Sequence, residues 1–410
     1  MVKILVVSES IDIEDSSGSK VNVALILNLA KLGYDVKVLH YSRKNIELDG
    51  VTCVSIPEIK FSINYILSRF QRVFQRVTKK NVSRFLERNF GHSFTFFNDA
   101  KSISKTIEKY YNNENLIITL SKGASFRPHY AMLNLSNLHD KWMAYVHDPY
   151  PFHYYPRPYN WVESGYQFKE NFFREVSEKA KYSAFPSVML KDWMGSYYSN
   201  FNNTGVIIPH QNLTSNNLQD LDMPDYFDIG KFNLLHAGNL MSKRDPRGLV
   251  NGFNKFLENN NEAKLTAQLL LIGGADYHKE YLNDVVNNQI YWSGKNVEFK
   301  EVAILQKNVS VNIILEAKSE ISPFLPGKFP NCILANKPIL LLGPHYSETK
   351  RLLGEEYPYV SEIDNVDLIC DQITRLYLNW KLDKSTLLNR PDLQDYVGLD
   401  FLKKTINGLN

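Results

Sequence analysis

The stretch Phe232–Phe253 reads FNLLHAGNLMSKRDPRGLVNGF, and the order of its residue types decides the fold. Phe232 to His236 is a short apolar run of the kind that forms a buried parallel strand. The run ends near Gly238, where the missing side chain lets a ligand approach the backbone. Lys243 and Arg244 follow, and Asp245-Pro246 opens a helix expected over Pro246–Leu257, with proline in its first turn. Arg244 offers a forked donor to phosphate oxygens. The same residues also suit a plain glycine turn with solvated cations, so the stretch alone leaves both readings open.

Outward from it the pattern repeats. Leu269–Ile272 reads as a strand ending in Gly273-Gly274, and Val297–Phe299, Val311–Leu315 and Pro338–Leu342 read as further strands. Toward the amino terminus, Lys3–Ser8 is a strand, Glu9–Lys20 a polar loop, and Val21–Leu32 a helix stopped by Gly33. Asp35–His40, Leu116–Leu120, Trp142–His147, Ser183–Pro186 and Val206–Ile208 continue the series. Strands alternating with helices imply parallel sheets with helices on both faces. The fold class is α/β, as two Rossmann-like domains facing a cleft. The join falls between Gln211 and Gly230, where Asn, Asp, Ser and Pro cluster. That sets a first domain over 1–212 and a second over 213–390, with 391–410 an amphipathic helix packing back on the first. In such sheets ligands bind beyond the carboxyl ends of the strands.

Composition narrows the function. The chain has 410 residues, too many for one ordinary core, with 44% hydrophobic and 22% charged residues. A net charge of +3 argues against a general nucleic-acid binder. Cys53, Cys332 and Cys370 are odd in number and widely spaced, which fits neither a disulfide framework nor a metal site. The start lacks the features of a signal peptide, and no apolar run reaches the roughly 18 residues of a spanning helix. A cytoplasmic location is the expectation. The first strand is not followed by Gly-x-Gly-x-x-Gly, which speaks against a dehydrogenase.

A second informative stretch runs from Ser322 to Asn331, through Pro326, Gly327 and Lys328, and leads to Ala335-Asn336-Lys337-Pro338-Ile339. A Pro/Gly loop enters a short helix with Lys328 at its beginning. Helix N-termini attract anions and a cation there is otherwise unfavourable, so Lys328 points to an anionic ligand. A loop lysine directed to water is the alternative.

Together these stretches resemble the donor domain of glycosyltransferase family 4, a family of the GT-B type. The resemblance rests on the Gly238–Arg244 segment, on Leu271-Ile272-Gly273-Gly274, and on Pro323 to Lys328 followed by Asn336-Lys337-Pro338-Ile339. It implies that Gly238, Arg244 and Lys328 hold the donor diphosphate, and that Asn239, Gly273, Pro326, Gly327 and Asn331 also belong to the donor site. It further implies that the segment around Phe299–Val302, with Lys300 and Val302, borders the base through backbone atoms. Many members carry Glu-x7-Glu, and here those positions are Pro323 and Asn331. An amide can still bond a ribose hydroxyl but supplies no charge. The resemblance implies a UDP- or GDP-linked sugar as substrate, no cofactor and no metal, and a saccharide or lipid-linked saccharide as acceptor.

The first half carries weaker signals. Gly18 and Ser19 lie in a small-residue loop that in the family faces the sugar and acceptor, and Lys122 ends another strand. His147 and Asp148 end a strand, where an imidazole can contact a sugar hydroxyl and a carboxylate can take its proton. Capping and packing explain the same residues equally simply. Between Phe61 and Phe90, seven cations from Arg69 to Arg88 interleave with apolar residues, opposed by Glu87 alone. Such a segment suits an anionic membrane surface, or an ordinary helix face packed on the first domain. A non-catalytic sugar-nucleotide-binding subunit and a GT-B epimerase remain as rival readings.

Overall fold

The computed structural model describes residues 2–159, 161–212 and 222–409, so much of the expected join lies outside the described residues. The chain divides into two compact units: Met1–Tyr155, Tyr159–Leu213 and Gly398–Asn410 form one, and Pro156–Pro158 with Thr214–Val397 the other.

The first unit runs β1 (Lys3–Ser8), α1 (Ser17–Lys31), β2 (Asp35–His40), β3 (Thr52–Ser55), α2 (Ile63–Thr78), α3 (Ser83–Phe90) and α4 (Phe94–Tyr110). Next come β4 (Leu116–Leu120), α5 (Arg127–Leu133), β5 (Trp142–Tyr145), α6 (Tyr166–Lys179), β6 (Tyr182–Phe185), α7 (Val188–Tyr197), α8 (Asn200–Thr204) and β7 (Gly205–Ile207). Its seven strands form one sheet in the order β3-β2-β1-β4-β5-β6-β7, and every pairing is parallel. Leu5, Val7 and Ile117 face one core, and Ile4, Val6 and Ile118 face the other. Alternate side chains of a strand point to opposite faces, so covering both faces demands the near-continuous apolar runs seen in the sequence.

The second unit runs β8 (Phe232–Ala237), α9 (Arg247–Asn259), α10 (Ala263–Thr266), β9 (Ala267–Ile272), α11 (Lys279–Val285), β10 (Ile290–Trp292), α12 (Phe299–Asn308) and β11 (Val311–Leu315). It continues through β12 (Ile321–Ser322), α13 (Phe329–Ala335), β13 (Ile339–Leu342), β14 (Tyr346–Ser347), α14 (Glu348–Leu353), β15 (Val360–Ser361), α15 (Val366–Leu382) and α16 (Pro391–Tyr396). The sheet order is β10-β9-β8-β11-β13-β15, again parallel throughout. The last helix, α17 (Leu399–Asn407), belongs to the first unit.

Two expectations fail here. Val297–Phe299 is not a strand: the edge place beside β9 is taken by Ile290–Trp292, and Phe299 begins α12. The tail is two helices, not one. Gly398, a poor helix former, caps α17, whose Leu402 and Ile406 join the first unit's core. Leu393 and Val397 join a core of the second unit instead.

Both sheets reverse their winding at one place. In the first this lies between β1 and β4, and in the second between β8 and β11. Loops leaving neighbouring strands diverge there, and the crevice beyond the carboxyl ends is where ligands bind in open sheets.

Candidate active site

In the second unit the switch point collects four polar side chains. His236, the fifth residue of β8, is buried, and its ring lies 3.1 Å (Nδ1) and 3.4 Å (Nε2) from Lys328 Nζ. Lys328 caps α13, a seven-residue helix, and is half-buried with its Nζ turned inward. Burial, reinforced by the Arg244 charge, pushes the Lys328 ammonium down to about 7. Burial, then Lys328 and Arg244, hold the His236 imidazole well below its ordinary range. His236 is therefore neutral, and one ring nitrogen is free to accept from the ammonium. Arg244 lies in the β8–α9 loop, where its N–H donates to the Met241 carbonyl at 2.8 Å.

Among the described residues, no carboxylate lies within ion-pair distance of Arg244 or Lys328. The nearest acid by its influence is Glu316, immediately after β11. Burial pushes its carboxyl up to about 7, against hydrogen bonds from Thr349 (2.5 Å) and Ser322 and against the Arg244 charge. Near neutral pH Lys328 and Glu316 are each about half-ionised, and the Arg244 charge is left over. The site thus gathers positive charge that an anion would balance.

Glycines set the floor. Gly238 has φ +143°, and a Cβ there would sit 3.4 Å from Lys328 Nζ. Gly273, at the end of β9, has φ +137°, and a Cβ would lie 2.6 Å from the Gly238 carbonyl oxygen. Its own N–H donates to Ser293 Oγ (2.9 Å), and its carbonyl accepts from Trp292 Nε1 (3.0 Å). Asn239 Oδ1 accepts from the Gly274 N–H at 3.0 Å. Gly273 and Asn239 therefore shape the floor, while Gly238 brings its backbone close to Lys328 Nζ with no side chain between them.

The remaining second-unit candidates are less concentrated. Pro326 and exposed Gly327 form the turn before Lys328, and the Phe329 N–H donates to the Pro326 carbonyl at 2.8 Å. Asn331 lies in the first turn of α13. Lys300 is exposed in the first turn of α12. Val302 packs on an apolar cluster, and its N–H is spent on the Glu298 carbonyl at 3.1 Å.

In the first unit, Ser16 caps α1 and accepts from the Ser19 N–H at 3.1 Å. The helix thus starts four residues earlier than expected, and Gly18 and Ser19 lie in its first turn. A Cβ on Gly18 would lie 3.8 Å from the Gly123 nitrogen, so this turn meets the loop after β4. Lys122 in that loop pairs with Asp15. Buried Asn22 ties the two segments by donating to the Ser121 carbonyl at 3.1 Å. Strand β5 ends at Tyr145, two residues before the expected end, although the Val146 N–H still donates to the Ala184 carbonyl. The register Leu120↔Tyr145 places Lys122 and His147 equally far beyond adjacent strands. The His147 ring stacks on Tyr145 at 4.1 Å, and burial, with His210 and His129 nearby, holds it well below its ordinary range. Asp148 accepts from the Tyr155 hydroxyl, and a carboxylate so engaged keeps lone pairs for a further proton.

Three side chains had no role in the sequence reading: His236, Glu316 and Asn22. The first two sit at strand ends flanking the switch point, which was the available signal. Among the described residues, no group of three or more His, Cys, Asp or Glu is placed to hold a metal ion.

No family model matches the chain, and no curated protein matches it. Solved structures do match along nearly its whole length. Trehalose-6-phosphate synthase OtsA aligns with TM-score 0.64 at 9% identity, covering 99% of this chain and 97% of that one. HepE from Anabaena, in complex with UDP and glucose, aligns with TM-score 0.59 at 10% identity, covering 99% and 98%. A glycosyltransferase from Rickettsia africae ESF-5 aligns with TM-score 0.55 at 14% identity, covering 100% and 94%. At such identities the likeness is one of fold: the chain has the paired Rossmann-like units of solved GT-B glycosyltransferases.

Proposed function

We propose that this chain is a glycosyltransferase. It moves a sugar from a UDP- or GDP-linked donor to a saccharide or lipid-linked saccharide, in the assembly of a bacterial surface polysaccharide or glycan. The observation that carries the reading is the Arg244–Lys328 pair at a switch point beside Gly238, with no carboxylate within ion-pair distance among the described residues. A diphosphate supplies the missing negative charge, and the HepE complex with UDP makes UDP the first donor to test.

In the reaction, the bond between the sugar C1 and the diphosphate oxygen breaks, and the acceptor oxygen bonds to C1. The acceptor proton passes to the departing phosphate oxygen, and configuration is retained. Arg244 and protonated Lys328 stabilise the charge that grows on the leaving group, and His236 holds Lys328 in place. They take the part a metal ion has elsewhere, so transfer proceeds in a chelator. Asn331 meets a ribose hydroxyl. His147 and Asp148 address the acceptor, next to Gly18, Ser19 and Lys122. Contact of residues 61–90 with a membrane surface, on its cytoplasmic side, fits a lipid-linked acceptor.

A second reading draws support from Pro323 and Asn331, which stand where many family members have acids. It is a sugar-nucleotide-binding subunit without turnover, or an epimerase. Mass spectrometry of reactions with UDP- and GDP-sugars, a lipid-linked saccharide and EDTA separates these outcomes. A glycosylated acceptor supports transfer. Donor binding without any product supports the subunit, and an altered donor formed without acceptor supports the epimerase.

A further inference from the structure

Helix α2 is amphipathic, and its burial is inverted. Ile63, Ile66, Phe70, Val73 and Val77 recur at helical spacing along one face and are 56–77% exposed. The opposite, polar face meets the protein. Ser68 is 4% exposed, Gln71 and Gln75 donate to Ser83 of α3 (3.2 and 3.1 Å), and Arg72 donates to Thr95 of α4 (3.3 Å). Arg69 is turned back onto Glu58 (3.5 Å) and over the Tyr65 ring. A helix that merely covered a core would bury the face that this one exposes.

The apolar surface continues. Phe85 and Phe90 on α3 are exposed, and so is Phe168, against which a Cβ on Gly91 would collide at 2.5 Å. Lys169, in the first turn of α6, pairs with Glu87 of α3 (3.4 Å) and with Glu163 just before α6 (2.7 Å). Around the patch stand Arg76, Lys79, Lys80, Arg84 and Arg88, all exposed. The one acid between residues 61 and 90, Glu87, is occupied by Lys169.

We infer that the α2–α3 pair docks on an anionic lipid bilayer, with the Ile63–Val77 face sunk at the boundary of headgroups and acyl chains and the surrounding cations on lipid phosphates. No helix among the described residues is long and apolar enough to cross a membrane, so α2 lies in the surface plane. Charge selects this occupant over a second copy of the chain, because two copies would press two cationic rims together. The inference sharpens the membrane contact of the proposed function, but it needs no sugar transfer to be tested.

The test is co-sedimentation of the full chain with phosphatidylcholine vesicles, with and without about one-third phosphatidylglycerol. Binding to anionic vesicles is expected to exceed binding to neutral ones by about tenfold or more, and to fall steeply in high salt. Phe70→Ser with Val77→Ser, and separately Arg76→Gln with Lys80→Gln, lowers it about tenfold. Arg69→Gln leaves it within about twofold, since Arg69 is held by Glu58. Circular dichroism checks that these exposed substitutions leave the fold intact. No binding to anionic vesicles, or equal binding to both kinds, overturns the inference. So does sedimentation velocity showing a dimer that the Phe70→Ser/Val77→Ser variant loses. Donor binding measured on the same variants tells failure here from failure of the proposed function.

Discussion

Beyond β1 and β4 in the first unit, Lys122 is paired with Asp15, and Arg127 lies against Glu9 (2.7 Å) and Asp99 (3.1 Å). Beyond β8 and β11 in the second unit, Arg244 and Lys328 have no such partner among the described residues, and Glu316 is raised to about 7 by burial. The two places are topologically equivalent, each a small-residue turn after a central strand with a basic residue close by. Their charge balance differs. Where cations are already neutralised, an added anion would compete with the carboxylates paired to them, so such a place suits a neutral ligand rich in hydroxyls. Where they are not, a diphosphate would supply the balancing charge, as proposed above.

That contrast is open to attack at several points. The largest effect is expected from Arg244→Ala with Lys328→Ala. Each removed charge-assisted bond is worth roughly 1.5–3 kcal/mol, so donor affinity falls by about 10²- to 10⁴-fold by calorimetry. Next is Gly273→Ala. Its positive φ and the 2.6 Å approach to the Gly238 oxygen leave no room for a methyl group, and denaturant unfolding is expected to show a loss of roughly 2–4 kcal/mol. A pH titration of donor binding sharpens the comparison further. Lys328 is depressed to about 7 in the free protein, and a bound diphosphate favours its charged form. Affinity is therefore full below pH 7 and falls as pH rises above it, by about tenfold or more over roughly two units. Lys328→Ala flattens that slope. The smallest effect belongs to the first unit: Lys122→Ala leaves donor affinity within about threefold, because this lysine forms a half-exposed pair with Asp15.

Much of this was readable in the sequence, and the limits have physical causes. Buried parallel strands such as Leu116–Leu120 and Val311–Leu315 carry apolar runs that few other structures require. Short edge strands such as Thr52–Ser55 and Ile290–Trp292 are partly exposed and carry no such run. The convergence of Gly238 and Lys328, 90 positions apart, was implied by the resemblance of their two stretches to a known donor domain, and not by composition or periodicity. The role of His236 was not implied, because a histidine inside a strand looks like any buried polar residue until its neighbour is known. Glu316 stands outside the Glu-x7-Glu spacing of family 4 glycosyltransferases, and only its burial and the influence of the Arg244 charge mark it. For α2 the periodicity revealed an amphipathic helix but not which face the protein would cover.

The most direct test of the central claim is isothermal titration of UDP and GDP into the unaltered protein, Lys328→Ala and Lys122→Ala. Saturable binding of one nucleotide, weakened about ten- to a hundredfold by Lys328→Ala and scarcely changed by Lys122→Ala, is the predicted result. Binding by Lys328→Ala as tight as that of the unaltered protein would contradict the assignment of the second unit's switch point as the diphosphate site.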